Sequence, residues 1–183
     1  MKKLSYKNST KTAIGGIIAA LSIVTMMITA VIPTLTYTMP AIAGVLLILV
    51  VIEVDKKWAT GVYVVVGVLS MFFVADKEAA VMYVMFFGYY SILKAVIEGK
   101  LNKVVSWIVK ILVFNITMIL AFLIVTYVFK IPFDDMNKFG KWSVWILLLM
   151  GNFVFLVYDV LLSRLITLYM LRLHKSFKKI FKN

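Results

Sequence analysis

Six long apolar runs constrain this chain more than any other feature. They cover roughly residues 12–32, 36–54, 58–74, 79–97, 104–129 and 142–162. A helix of about 20 residues crosses the hydrocarbon core of a bilayer, and each run is long enough to do so. Strands of a membrane barrel would instead alternate over shorter segments, and lipid leaves no partner for unpaired backbone groups. The expected fold is therefore all-α, a polytopic membrane protein with six transmembrane helices in one bundle. Pro33 ends the first run, and Pro40 falls in the first turns of the second, where a missing N–H costs little. The expected division is a transmembrane domain over 1–163 and a basic tail over 164–183.

Composition supports a lipid environment and removes most chemistry. Hydrophobic residues make up 63% of the chain and charged ones 15%, too little polar surface for a water-soluble domain of 183 residues. There is no cysteine, which excludes disulfides, thiolate metal sites and thiol catalysis. His174 is the only histidine, so the usual zinc and acid–base sets lack parts. No Ser/His/Asp set, intramembrane Asp pair, Gly-rich phosphate loop or HExxH stands in the sequence. The expectation is a non-enzyme without a cofactor, and any metal site stays unassigned. Eighteen lysines against two arginines, with abundant Ile, Phe and Met, suit an AT-rich bacterial genome.

The net charge of +12 sits mainly in short segments beside apolar runs, a pattern of membrane orientation rather than nucleic-acid binding. Lys2, Lys3, Lys7, Lys11, Lys56 and Lys57 fall on one side. Lys94, Lys100, Lys103, Lys110 and the six cations from Arg164 to Lys182 join them, sixteen in all. Only Lys77, Lys130, Lys138 and Lys141 fall on the other. The positive-inside rule then puts both termini in the cytoplasm of a bacterial cell membrane. The first run, at about 21 residues, exceeds the apolar core of a signal peptide and reads as a retained helix. In the tail, Met170, Leu173, Phe177 and Ile180 recur at helical spacing among basic residues. That pattern predicts an amphipathic helix on the inner leaflet, with His174 on its polar face.

Depth sorts the polar residues inside the runs. Lys110 lies about 9 Å into the fifth from its cytoplasmic end, and Asp159 about 25 Å into the sixth from outside. At comparable depth on neighbouring helices they form a candidate ion pair. The competing reading has Lys110 snorkelling to headgroups and Asp159 meeting Arg164 or water. Asn115 and Asn152 also share a depth, about 15–17 Å from their entry ends, and suit a hydrogen bond between helices. A substrate contact at the midplane is the alternative for them.

Two further groups are candidates for recognition. In GGIIAA, Gly15/Ala19 and Gly16/Ala20 are small-xxx-small pairs that let another helix approach, within the bundle or on a partner. At the outer surface, Tyr37 stands in the first loop, Asp76, Lys77 and Glu78 in the second, and Asp134 and Asp135 in the third. Four carboxylates there suit a cationic solute or a metal ion, although no spacing matches a dedicated cation loop. Gly88, among Phe86, Phe87, Tyr89 and Tyr90, leaves a gap that packing or an aromatic pocket would use.

Six spans, short loops, inner termini and the small-residue face GGIIAA together resemble the substrate-binding S component of energy-coupling-factor transporters. The resemblance implies that Gly15, Gly16, Ala19 and Ala20 dock against a transmembrane coupling protein that works with ATPases. It also implies that a vitamin or metal ion binds near the outer face, among Tyr37, Asp76, Glu78, Asp134 and Asp135. The function so implied is solute capture for an importer powered by a separate ATP-hydrolysing module. A non-transporting envelope protein that scaffolds partners is the alternative. In either case the bilayer is a partner and nucleic acid is not.

Overall fold

The computed structural model describes residues 6–129 and 143–174. Among them all regular structure is helical. Helix α1 is Asn8–Met27, with a 3-10 turn at Ile28–Ala30. Helix α2 is Thr38–Glu53 and α3 is Lys56–Phe73. Helix α4 spans Lys77–Lys100 and α5 spans Lys103–Val128. Helix α6 is Ser143–Leu168 and continues into a π-helical turn at Tyr169–Leu173. Among the described residues five helices are long and apolar enough to cross a membrane; α2, with 16 residues, is shorter. Helix α6 also runs without a break through 163 and 164, where the sequence reading divides the chain. The predicted tail helix is thus, as far as it is described, an extension of α6, and residues 175–183 lie outside the described set.

Short helix α2 sits at the centre because its residues permit close approach. A Cβ on Gly44 would lie 2.2 Å from the Phe87 carbonyl oxygen, so only glycine lets α2 meet α4 here. The Ser91 hydroxyl donates to the Gly44 carbonyl at 2.6 Å and locks the same contact. On one side of α2, Ile14, Ile18 and Met26 of α1 pack with Leu47, Val50, Val66 and Tyr83. On the other, Phe86 and Tyr90 of α4 pack with Phe114 of α5 and with Phe155 and Leu162 of α6. Phe114 and Phe155 stack at 4.7 Å between ring centres. Helices α5 and α6 leave long apolar faces exposed, including Ile108, Leu112, Ile119, Leu149, Phe153 and Leu161. In water such faces would aggregate; in a bilayer they meet acyl chains, as expected of membrane helices.

A π-helical turn, Tyr83–Phe87, interrupts α4 at its middle. Such turns shift the backbone hydrogen-bond ladder by one residue and need outside partners. One is present, since the Tyr63 hydroxyl donates to the Val84 carbonyl at 2.8 Å. The gap at Gly88 is filled by the protein itself: a Cβ there would meet the Tyr63 and Tyr83 rings within 2.8 Å. Packing is thus the use made of this gap.

Candidate functional site

The acid-base-acid turn at 76–78 opens α4, and each of its charges has an assigned contact. Asp76 caps α4 by accepting from the Ala79 N–H at 3.1 Å, and its other oxygen accepts from Thr36 Oγ1 at 2.7 Å. An N-cap carboxylate satisfies an otherwise unpaired helix donor, which explains an acid at this position. Lys77 turns back to α3, donating from Nζ to the Met71 and Val74 carbonyls at 2.8 Å each. Glu78 accepts from the Tyr37 hydroxyl. The loop before α2 and the turn before α4 therefore converge through two hydrogen bonds, bringing Tyr37, Asp76 and Glu78 together. Asp134 and Asp135 lie outside the described residues.

At the opposite end of α4 lies a denser polar cluster. Asp159 of α6 is 2% exposed, and three donors from two other helices reach it. Tyr90 donates to Oδ1 at 2.6 Å, Lys94 Nζ reaches the same oxygen at 2.5 Å, and Lys110 Nζ is 3.2 Å from both oxygens. Glu98 completes the set, 2.5 Å from Lys110 and 2.8 Å from Lys94. Two ammonium and two carboxylate groups thus balance in charge. Balance matters because an isolated buried ion would cost several kcal/mol, whereas a paired, hydrogen-bonded one does not carry that whole penalty. Lys110 and Asp159 meet within this cluster, and neither snorkelling nor an Asp159–Arg164 pair is the arrangement found.

The sequence reading missed Lys94, Glu98 and Tyr90. Lys94 counts there only as a marker of the inner surface, yet it is 1% exposed. The signal was present: Lys94 and Glu98 are four apart on one helix face, and Lys94 lies about 9 Å inside the Lys100 end of α4. That matches the depth assigned to Lys110.

Asn115 and Asn152 bond reciprocally, amide to carbonyl oxygen, at 3.0 and 2.8 Å, joining α5 to α6. Their remaining amide hydrogens return to the Ile111 and Leu148 carbonyls, which leaves no spare donor geometry aimed at a ligand. On α1 the two small pairs separate. Gly15 and Ala19 are buried, with Gly15 close enough to Val62 that a Cβ would approach it to 3.0 Å. Gly16 and Ala20 face outward, and nothing lies within 4 Å of a Cβ on Gly16.

A third polar contact ties α6 to the end of α2. Glu53, 3% exposed, accepts from the Tyr169 hydroxyl at 2.8 Å and lies 2.6 Å from His174 Nδ1. His174 is therefore a contact of the α2 end rather than a residue on a free polar face. Burial, and then the neighbouring Glu53 carboxylate, push the Tyr6 phenol up. Among the described residues no group of three or more His, Cys, Asp or Glu side chains is placed to hold a metal ion. Comparison with protein-family models, curated proteins and solved structures finds no match to the chain.

Proposed function

We propose that this chain is a multi-pass protein of the bacterial cell membrane that captures a small solute, a vitamin or a metal ion, at its outer end. In this reading α1 to α6 all span, both termini are cytoplasmic, and the chain itself catalyses nothing. Transport then depends on a separate ATP-hydrolysing module, reached through a coupling protein docked on the outward side of α1 at Gly16 and Ala20. The observation that carries the reading is the convergence of Tyr37 with Glu78 and of Thr36 with Asp76. Two carboxylates and two hydroxyls from separate loops there form a polar rim at one end of the bundle. The rim is small, hydrogen-bonding and acidic, the chemistry that suits a solute with amine or other donor groups.

A second reading is favoured by a different aspect of the same contacts. Asp76 and Glu78 already bond within the protein, as loop-fastening residues would in a membrane scaffold. Affinity purification and a thermal-shift screen decide between the two. Capture predicts co-purification of a membrane protein with ATPases, and a rise in melting temperature with one vitamin or divalent metal. It also predicts that Glu78→Gln abolishes that rise. A chain isolated without either partner, and indifferent to every vitamin and metal tested, would remove capture and leave the scaffold.

A further inference from the structure

Between α2 and the far end of α6 the surface carries a groove of about 450 Å³. Val45, Ile48 and Leu49 line it from α2, and Leu165 and Leu168 from α6. Tyr169 and Arg172 supply its polar groups. The Tyr169 hydroxyl is committed to Glu53, which leaves the guanidinium of Arg172 as the polar element of the lining without a partner among the described residues. Among the described residues no carboxylate lies within ion-pair distance of Arg172, and the side chain is exposed. Leu165, Leu168 and Arg172 follow one another at helical spacing, so the apolar slot ends in a cation.

The level of that cation is fixed by neighbouring contacts. Helix α2 ends at Glu53, where the chain turns into α3, and Tyr169 bonds to Glu53. Arg172 is therefore about one turn beyond the end of α2, the height at which a membrane helix meets headgroups. A planar guanidinium presents two parallel donors to a phosphate and is weakly hydrated, so it suits this boundary. A water-soluble solute would find one polar group in this slot, and a second helix would have to bring a carboxylate to the guanidinium or bury it unpaired. An acyl chain beneath a phosphate matches both parts.

We propose that this groove seats an acyl chain of an anionic phospholipid whose phosphate is held by Arg172. The site requires only that α2 and α6 lie in a bilayer, and it is independent of solute capture. Native mass spectrometry of the full chain, released from nanodiscs of phosphatidylglycerol or of phosphatidylcholine with the same acyl chains, tests it. Phosphatidylglycerol is retained more than phosphatidylcholine, whose choline cation offsets the phosphate charge that Arg172 would pair. Arg172→Gln lowers that retention about five-fold, the effect of ~1 kcal/mol for one cation at an anionic surface. Leu165→Trp fills the slot and lowers retention with Arg172 intact, whereas Lys178→Gln with Lys179→Gln in the tail leaves it unchanged. Equal retention of the two lipids, or retention unchanged in Arg172→Gln, overturns the proposal. So does a second copy of the chain that Leu165→Trp displaces.

Discussion

Replacing Asp159 with Asn is the sharpest perturbation of the buried charge cluster. The change removes one negative charge and keeps nearly the same volume, so packing around residue 159 is unaffected in first order. Asn can still accept from Tyr90. What it cannot do is balance Lys94 and Lys110, which are 1% and 2% exposed. Glu98 remains, but it is on the rim with 45% of its side chain exposed, and it reaches Lys110 at 2.5 Å and Lys94 at 2.8 Å. One carboxylate then serves two ammonium groups, and Lys94 otherwise keeps only the residue 159 backbone carbonyl at 3.3 Å.

Breaking a buried pair by removing one partner destabilises by about 3–5 kcal/mol. The half-exposed Glu98 offsets part of this, so we expect the lower end, about 3 kcal/mol, or roughly a hundred-fold in the folded-to-unfolded ratio. Equilibrium unfolding in mixed micelles measures it. The decisive step is a second substitution: adding Lys110→Met or Lys94→Met to the Asp159→Asn variant restores charge balance and should recover at least half of the loss. Each lysine change alone should destabilise, because it leaves Asp159 and Glu98 with one cation. If Asp159→Asn costs less than about 1 kcal/mol, or neither lysine change recovers stability, the balance argument is wrong.

Gly44→Ala should overpack the α2–α4 contact by forcing the Phe87 backbone away, lowering stability by about 1–3 kcal/mol or more in the same unfolding assay. Asn115→Leu, which breaks the reciprocal amide pair, should cost about 0.6–2 kcal/mol, with Asn152→Leu adding little once the first is gone. Glu53→Gln should loosen the end of α6, read as faster hydrogen exchange over 165–172 with the α4–α5 amides unchanged.

Much of the fold was legible because membrane helices announce themselves by continuous apolar length. Helical rise did the same for polar pairs: applied to α5 and α6, it put Lys110 level with Asp159 and Asn115 level with Asn152. On α4 the same rise puts Lys94 about 24 Å below Glu78, a depth that suits a marker of the inner surface as well as an enclosed charge. Counting cations by side treats each as a surface charge and cannot register one that is enclosed. Glu53 escaped for a related reason, since an acid at the last residue of an apolar run looks like its boundary. Its partners Tyr169 and His174 lie more than a hundred residues away, and no local pattern links them. Gly44 was not singled out, because close approach at one glycine depends on which helix faces it.

Helix α4 carries the consequence of these contacts. Its first turn fastens the loop before α2 through Asp76 and Glu78 and caps α3 through Lys77. Its last turns hold α5 and α6 through Lys94, Glu98 and Tyr90, and its middle receives Gly44 and Tyr63 at the π turn. An element bonded at both ends and in its middle is a poor candidate for movement, because any shift would break charged and neutral contacts together. Helix α1 has no such charged anchors among the described residues. It meets α2 and α3 through Ile14, Gly15, Ile18 and Met26, with the buried Ser22 hydroxyl donating to the Ala43 carbonyl of α2 at 3.5 Å and no ion pair among the described residues. A solute or a partner that changes the arrangement of this bundle could therefore act on α1 without breaking an ion pair among the described residues, and Gly16 and Ala20 lie on the outward side of that helix. Solute capture at the rim would then reach α1 through the Thr36–Asp76 and Tyr37–Glu78 bonds, which join its following loop to the fixed helix.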